Sequence, residues 1–321
     1  MNNIQVIVYL LLTMAITLSA NHYIASSLIY RGMTEKVDQN YKKLLRREEQ
    51  GSDSRSGVLV VGNSYVETSF NPVDHYEHVT MFRVAGMPMI DMLGVIENLP
   101  DQPAFDTVLI GLGYNYATPQ GGLSSVYDIH FTTNPIRKMW ASVPLIRGRS
   151  SAATILKEDI KCLVSHSRTA PCDDVLKAPA DSTPVVVLSG FDSLEKHRQN
   201  LEKSTDIRYQ EYLPFVSQLD SRFELYLHRL QKACRMRDIR LYAYTAPIYG
   251  KLRQRLSEDV LVRFREAVAS VGIDYVDLNL VYPDWGPSMF SDATHVNTST
   301  AGPITTDYLL TFIGLDVVDM N

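Results

Sequence analysis

Four short blocks hold residue types that together can carry acyl transfer. They are Gly62-Asn63-Ser64, Ala85-Gly86, Gly113-Tyr114-Asn115 and Ser291-Asp292-Ala293-Thr294-His295. A serine hydroxyl is a poor nucleophile at neutral pH and needs a neighbouring base. His295 can take the proton of Ser64, and Asp292, three residues earlier, can hold the imidazole tautomer and stabilise the imidazolium. A tetrahedral oxyanion needs donors fixed before reaction. The backbone N–H groups of Ser64 and Gly86 and the side-chain amide of Asn115 can supply three, and a glycine at 86 lets backbone come close with no side chain in the way. Each block also has an ordinary reading: Ser64 as a helix N-cap, Gly86 as a turn glycine, Asn115 as an Asx-turn residue, His295 as a hydrogen-bonded surface histidine.

Other constellations are weaker. His75 and His78, near Asp74 and Glu77, have metal-compatible spacing, but no third and fourth ligand is evident, and a solvated helix face is the simpler reading. Asp128 and His130 form a second acid/His pair and are the rival to Asp292 and His295. Gly111-Leu112-Gly113 lacks the third glycine and the helix start of a dinucleotide loop, and no phosphate loop is present. No cofactor and no metal are therefore expected. Tyr114, Tyr116, Pro247 and Tyr249 should lie near the serine and can shape an acceptor site, or can simply pack strand ends.

The elements that must position these residues alternate strand and helix. VLVVG at 58–62, HVTMFRVAG at 78–86, FDTVLIGLG at 105–113, IRLYAYTAP at 239–247 and IDYVDL at 273–278 read as strands. Met89 to Leu99, Tyr209 to Arg237, Leu252 to Val271 and Thr298 to Phe312 read as helices, the second with Leu213, Val216, Leu219, Phe223, Leu227 and Leu230 on one face. The expected fold class is α/β, a three-layer sandwich around a mostly parallel sheet. In such sheets ligands bind beyond the carboxyl ends of the strands, which is where the four blocks fall. Residues 117–205, rich in proline and glycine, break the rhythm and read as an insertion, with VVVL at 185–188 a further strand candidate.

These four blocks, in this order, resemble the SGNH (GDSL) hydrolase superfamily, whose name lists the residue types found at Ser64, Gly86, Asn115 and His295. The resemblance covers roughly residues 57–314 apart from the insertion. Asn63 stands where the family motif has Asp, a position that is not the triad acid. The flanking text, GNSYVETSFNP and FSDATHVNTSTAG, is more similar to membrane-anchored members such as the DltD-type proteins of teichoic-acid alanylation and relatives in exopolysaccharide acetylation. The resemblance implies a Ser64 acyl-enzyme, a small acyl group, a glycan or polysaccharide acceptor and a multi-spanning membrane acyltransferase as partner. A tethered carbohydrate or lipid esterase, and a non-catalytic envelope assembly factor of the same fold, are the alternatives.

Composition narrows the setting. The net charge of −5 and the lack of a basic stripe argue against a nucleic-acid partner. The first thirty residues hold no Lys, Arg, Asp or Glu, and Ile4 to Ala20 is an apolar run. At ~1.5 Å per residue it approaches the roughly 20 residues that cross a bilayer. An uncleaved anchor over 1–30 is the expectation. The rival is a signal peptide, but no basic residue precedes the run and no clean A-x-A site follows it. A polar stalk and linker fill 31–56, and the catalytic domain is expected over 57–321. The basic flank from Arg31 to Arg47 favours a cytoplasmic side by the positive-inside rule. The resemblance favours an extracytoplasmic domain, where Cys162 and Cys172 could pair or remain free thiols.

Overall fold

The structure, a computed structural model, describes residues 12–17, 19, 57–71, 79–83, 87–100, 103–117, 191–217 and 221–315. The chain divides into two compact units: residues 1–39 with 122–181, and residues 40–121 with 182–321. Of the first unit, an exposed helical stretch at 12–17 and Ser19 are described. Among the described residues no helix is long and apolar enough to cross a membrane. Most of the expected anchor, the basic flank, His75, His78, the Asp128 and His130 pair, Cys162, Cys172 and VVVL at 185–188 lie outside the described residues.

The second unit holds a five-stranded sheet. β1 (Gly57–Gly62) is buried at all six positions, as a parallel strand covered on both faces must be. β2 (Val79–Arg83) and the short β5 (Asp274–Asp277) are the edges, and β3 (Phe105–Leu112) and β4 (Arg240–Thr245) complete the order β2-β1-β3-β4-β5. Every pairing is parallel, so the chain must cross over between strands. α1 (Ser64–Ser69) follows β1, α2 (Met89–Glu97) follows β2, and the 3-10 turn Tyr114–Ala117 follows β3.

Two helices, α3 (Phe191–Ser217) and α4 (Ser221–Arg235), lead to β4. α5 (Gly250–Arg255) and α6 (Glu258–Ser270) lead to β5, and α7 (Leu278–Val281) and α8 (Ala301–Phe312) close the unit. One face of the sheet packs against α1 and α8 through Val66, Phe70, Leu309 and Leu310. On the other, α2 packs on α4 and α4 on α6. Helices on both faces of a parallel sheet make an α/β three-layer arrangement.

Some helix expectations are corrected. The single helix from Tyr209 to Arg237 is two, α3 and α4, and Leu213, placed on the apolar face, is 41% exposed. The span from Leu252 to Val271 is also two helices, because Leu256 and Ser257 take extended backbone. The closing helix starts at Ala301, after a turn at Thr298 to Thr300.

Phe264 on α6 joins the core to the strand ends. It is fully buried, stacks on Phe223 of α4 at 5.0 Å and meets the edge of Tyr114 at 5.1 Å. Truncating such a side chain loses its transfer free energy and leaves a cavity. Phe264→Ala is expected to cost about 3–5 kcal/mol in a urea or guanidinium titration.

Candidate active site

The strand order places β1 beside β3 while the chain leaves β2 and β4 on either side. That reversal point is where open parallel sheets form a crevice beyond their carboxyl ends. Ser64 follows β1 and Asn115 follows β3, so both stand at it.

Ser64 is the first residue of α1, but it does not cap the helix. Asn63 does: its backbone is extended and its Oδ1 accepts the Tyr65 N–H at 2.9 Å. Asn63 is 4% exposed. The Ser64 hydroxyl is left to meet His295, whose Nε2 lies 2.8 Å from Oγ. The Ser64 N–H, at the first helical position, has no acceptor within its own helix.

Residues 290–296 form a tight loop built around one carboxylate. An antiparallel bridge joins Phe290 to Val296, and the Ser291 N–H donates to the His295 carbonyl at 2.9 Å. Inside it, Asp292 Oδ1 accepts the Thr294 N–H at 2.7 Å, the Thr294 hydroxyl at 3.0 Å and the His295 N–H at 3.0 Å. The other oxygen, Oδ2, faces His295 Nδ1 at 2.8 Å. This explains the three-residue spacing of acid and base: one carboxylate caps the turn and orients the ring that the turn carries. A carboxylate only accepts, so Nδ1 carries the proton and Nε2 presents its lone pair to Ser64.

Burial alone would raise the Asp292 pKa. The hydrogen bond and charge of His295, with the Thr294 N–H and hydroxyl, outweigh it and hold the carboxyl well below the usual range. Asp292 is therefore ionised wherever His295 acts as a base.

The His295 ring is held on its face as well. Tyr65, next to the serine, stacks on it with centroids 5.2 Å apart and planes 23° from parallel. Tyr65 reaches there because Gly113 has no side chain. A Cβ at 113 would sit 2.6 Å from Tyr65 Cε2 and 2.4 Å from Asn115 Oδ1. Gly113→Ala must displace both, and overpacking of this kind costs about 1–3 kcal/mol. The variant is expected to lose about that much stability by denaturant titration.

The other expected positions are placed as follows. Asn115 is half-buried in the turn after β3. Gly86 lies outside the described residues. Tyr114, Tyr116, Pro247 and Tyr249 are buried. The Tyr114 hydroxyl donates to Asp277 Oδ2 at 2.8 Å, and that of Tyr116 to the Met87 carbonyl at 2.8 Å. Burial, then the Asp277 charge, push the Tyr114 pKa far up, so it stays a neutral donor. Tyr249 meets Phe290 edge-on at 5.6 Å, and its N–H holds the Ala293 carbonyl at 3.0 Å.

A buried polar network ties the strand ends below the crevice. Besides Tyr114, Asp277 accepts from the Asn279 N–H at 3.0 Å and from Arg265 at 3.3 Å. Asn279 in turn accepts the Ile248 N–H at 2.8 Å and donates to the Ala246 carbonyl at 3.1 Å. The ends of β3, β4 and β5 are thereby fixed to one another.

Thr294 and Tyr65 were not singled out from sequence, although each is adjacent to a residue that was. Cys234 is no competing nucleophile: burial pushes its thiol up to about 12, with Arg237 pulling only partly against it. The combination of an aligned hydroxyl, an imidazole of fixed tautomer and an ionised acid can generate an alkoxide-like nucleophile at neutral pH. No protein-family model matches the chain, and no curated protein matches it in sequence.

Proposed function

We propose that this chain is a serine-dependent acyltransferase of the SGNH-hydrolase type, moving a small acyl group to a cell-envelope glycan through a Ser64 acyl-enzyme. The observation that carries it is the hydrogen-bonded series Ser64 Oγ, His295 Nε2 and Nδ1, Asp292 Oδ2, each contact 2.8 Å long.

In this reading Ser64 Oγ attacks the acyl carbonyl while His295 Nε2 takes its proton. The C–O bond to the donor alcohol breaks, and His295 returns the proton to the departing oxygen. An acceptor hydroxyl then gives its proton to His295 and attacks the acyl-serine, and Ser64 leaves with its hydroxyl restored. The Ser64 N–H, the Asn115 amide and the Gly86 N–H are assigned to the oxyanion in both halves. The apolar segment at 4–20 is assigned as a membrane anchor with the domain extracytoplasmic, beside a multi-spanning acyltransferase that supplies acyl groups.

Hydrolysis is the second reading, and one observation favours it. The Asp292 side chain is 33% exposed and that of His295 15%, so water reaches the base. Intact-mass measurement of the purified protein with candidate acyl donors tests the proposal. A Ser64 adduct that a glycan acceptor discharges faster than water supports transfer. An adduct discharged equally fast without glycan supports the esterase, and no adduct with any donor counts against both.

A further inference from the structure

α3 is more than a connection to the fourth strand. Among its described side chains His197, Leu201, Thr205 and Tyr212 are buried, at most 6% exposed, and Ser204 and Arg208 flank them in half-buried positions. Spacings of four and seven put them on one face. A helix docked only to bury apolar surface would fill that stripe with aliphatic side chains. Here most of the described stripe is polar: His197, Ser204 and Arg208 face the segment that carries the acid and base, Tyr212 meets Tyr65, and the Thr205 hydroxyl bonds the Leu201 carbonyl of its own helix.

His197 Nε2 lies 3.1 Å from the Pro287 carbonyl and 2.9 Å from that of Phe290. Carbonyls only accept, so this nitrogen carries a proton. Two turns on, Ser204 Oγ accepts the N–H of Ala293, the residue between Asp292 and Thr294, at 3.1 Å. Two turns further, the Tyr212 hydroxyl meets that of Tyr65 at 3.3 Å, and Tyr65 stacks on the imidazole. Arg208 approaches Asp292 Oδ2 at 3.9 Å, but both side chains are 33% exposed, and solvent screens such a pair to little net effect. The loop is thus held at its start and its middle, and the ring is held through Tyr65.

We propose that α3 is a positioning strap for His295 and Asp292, with Ser204 and Tyr212 as its working contacts. The inference rests on the catalytic reading of the triad. Ser204 fixes the turn that carries Asp292, and Tyr212 fixes the tyrosine that sets the plane of the ring. Each acts through another residue, Ser204 through the Ala293 N–H and Tyr212 through Tyr65. Their removal should weaken catalysis through the geometry of the base and leave substrate binding unchanged.

The test uses the full-length protein, compared with the Ser204→Ala/Tyr212→Phe double variant and with Ser204→Thr, which keeps the acceptor oxygen. Two readouts are taken: kcat and KM on a chromogenic acetate ester, and the nitrogen-bound Nδ1 proton of His295 by NMR with labelled histidine. For the double variant kcat is expected to fall about 10- to 100-fold, as misplacement by an ångström does, with KM essentially unchanged. Its Nδ1 proton signal is expected to broaden or vanish, and Ser204→Thr to keep both wild-type properties. An unaltered signal with unaltered kcat in the double variant overturns the strap. Absence of Ser64-dependent turnover in the wild type would defeat the catalytic reading instead. The proton signal then decides the strap alone: loss in the double variant supports it and persistence overturns it.

Discussion

Ser64→Ala is expected to lower ester turnover by roughly 10⁵- to 10⁶-fold in kcat, the loss seen when a member of a serine–histidine pair is removed. The fold should hardly notice. Asn63 caps α1, alanine is the best helix former, and the hydroxyl of Ser64 makes its contact with His295 rather than with backbone. Denaturant midpoints should therefore match those of the wild type. His295→Ala is expected to cost about as much, and the Ser64→Ala/His295→Ala double variant no more than either alone, because the residues act as a unit. Steady-state kinetics of the three variants check this. Costs that multiply in the double variant would mean that the two residues work independently.

Asp292→Asn is the second large effect, expected at about 10⁴-fold in kcat. The amide oxygen can still accept the N–H groups of Thr294 and His295, so the loop keeps its shape. The amide nitrogen then faces His295 Nδ1, where the carboxylate oxygen stood at 2.8 Å. A donor there obliges Nδ1 to accept, moves the ring proton to Nε2, and points an N–H at Ser64 in place of a lone pair. Turnover should collapse with KM little altered.

The same variant has a pH signature. The carboxyl of Asp292 is held below its unfolded pKa of about 3.9. A depressed pKa contributes stability that is complete above the unfolded value and is lost as pH falls through the folded one. The stability gap between wild type and Asp292→Asn should therefore be constant above about pH 5 and close progressively in more acid solution. Urea titrations across that range check it. A gap that widens in acid would contradict the assignment.

Much of this arrangement was legible in the chain. The run VLVVG ends in Gly-Asn-Ser, and a strand buried on both faces announces itself by an unbroken apolar stretch. Once the sheet is parallel, the residues after its strands must share a rim, and the Asp292 and His295 spacing has a local reason in the turn that the carboxylate caps. What stayed hidden was set by tertiary contacts. The apolar period of α4 runs backward without a phase change as far as Leu213, so one helix was read where there are two. In α3 the buried phase is that of Tyr212, not of its neighbour. Nothing local links Tyr212 to Tyr65, which lies 147 residues away. The tyrosines after β3 read as rim residues because they follow a strand end. Their hydroxyls turn inward because Asp277 and the Met87 carbonyl offer buried acceptors that an aqueous surface does not.

The most direct measurement of the central claim is covalent labelling of the folded full-length protein with a fluorophosphonate, followed by intact mass and peptide mapping. A single phosphonyl adduct is expected on Ser64, and it should disappear in His295→Ala. Folded protein that leaves Ser64 unlabelled, or that labels it equally without the imidazole, would contradict it.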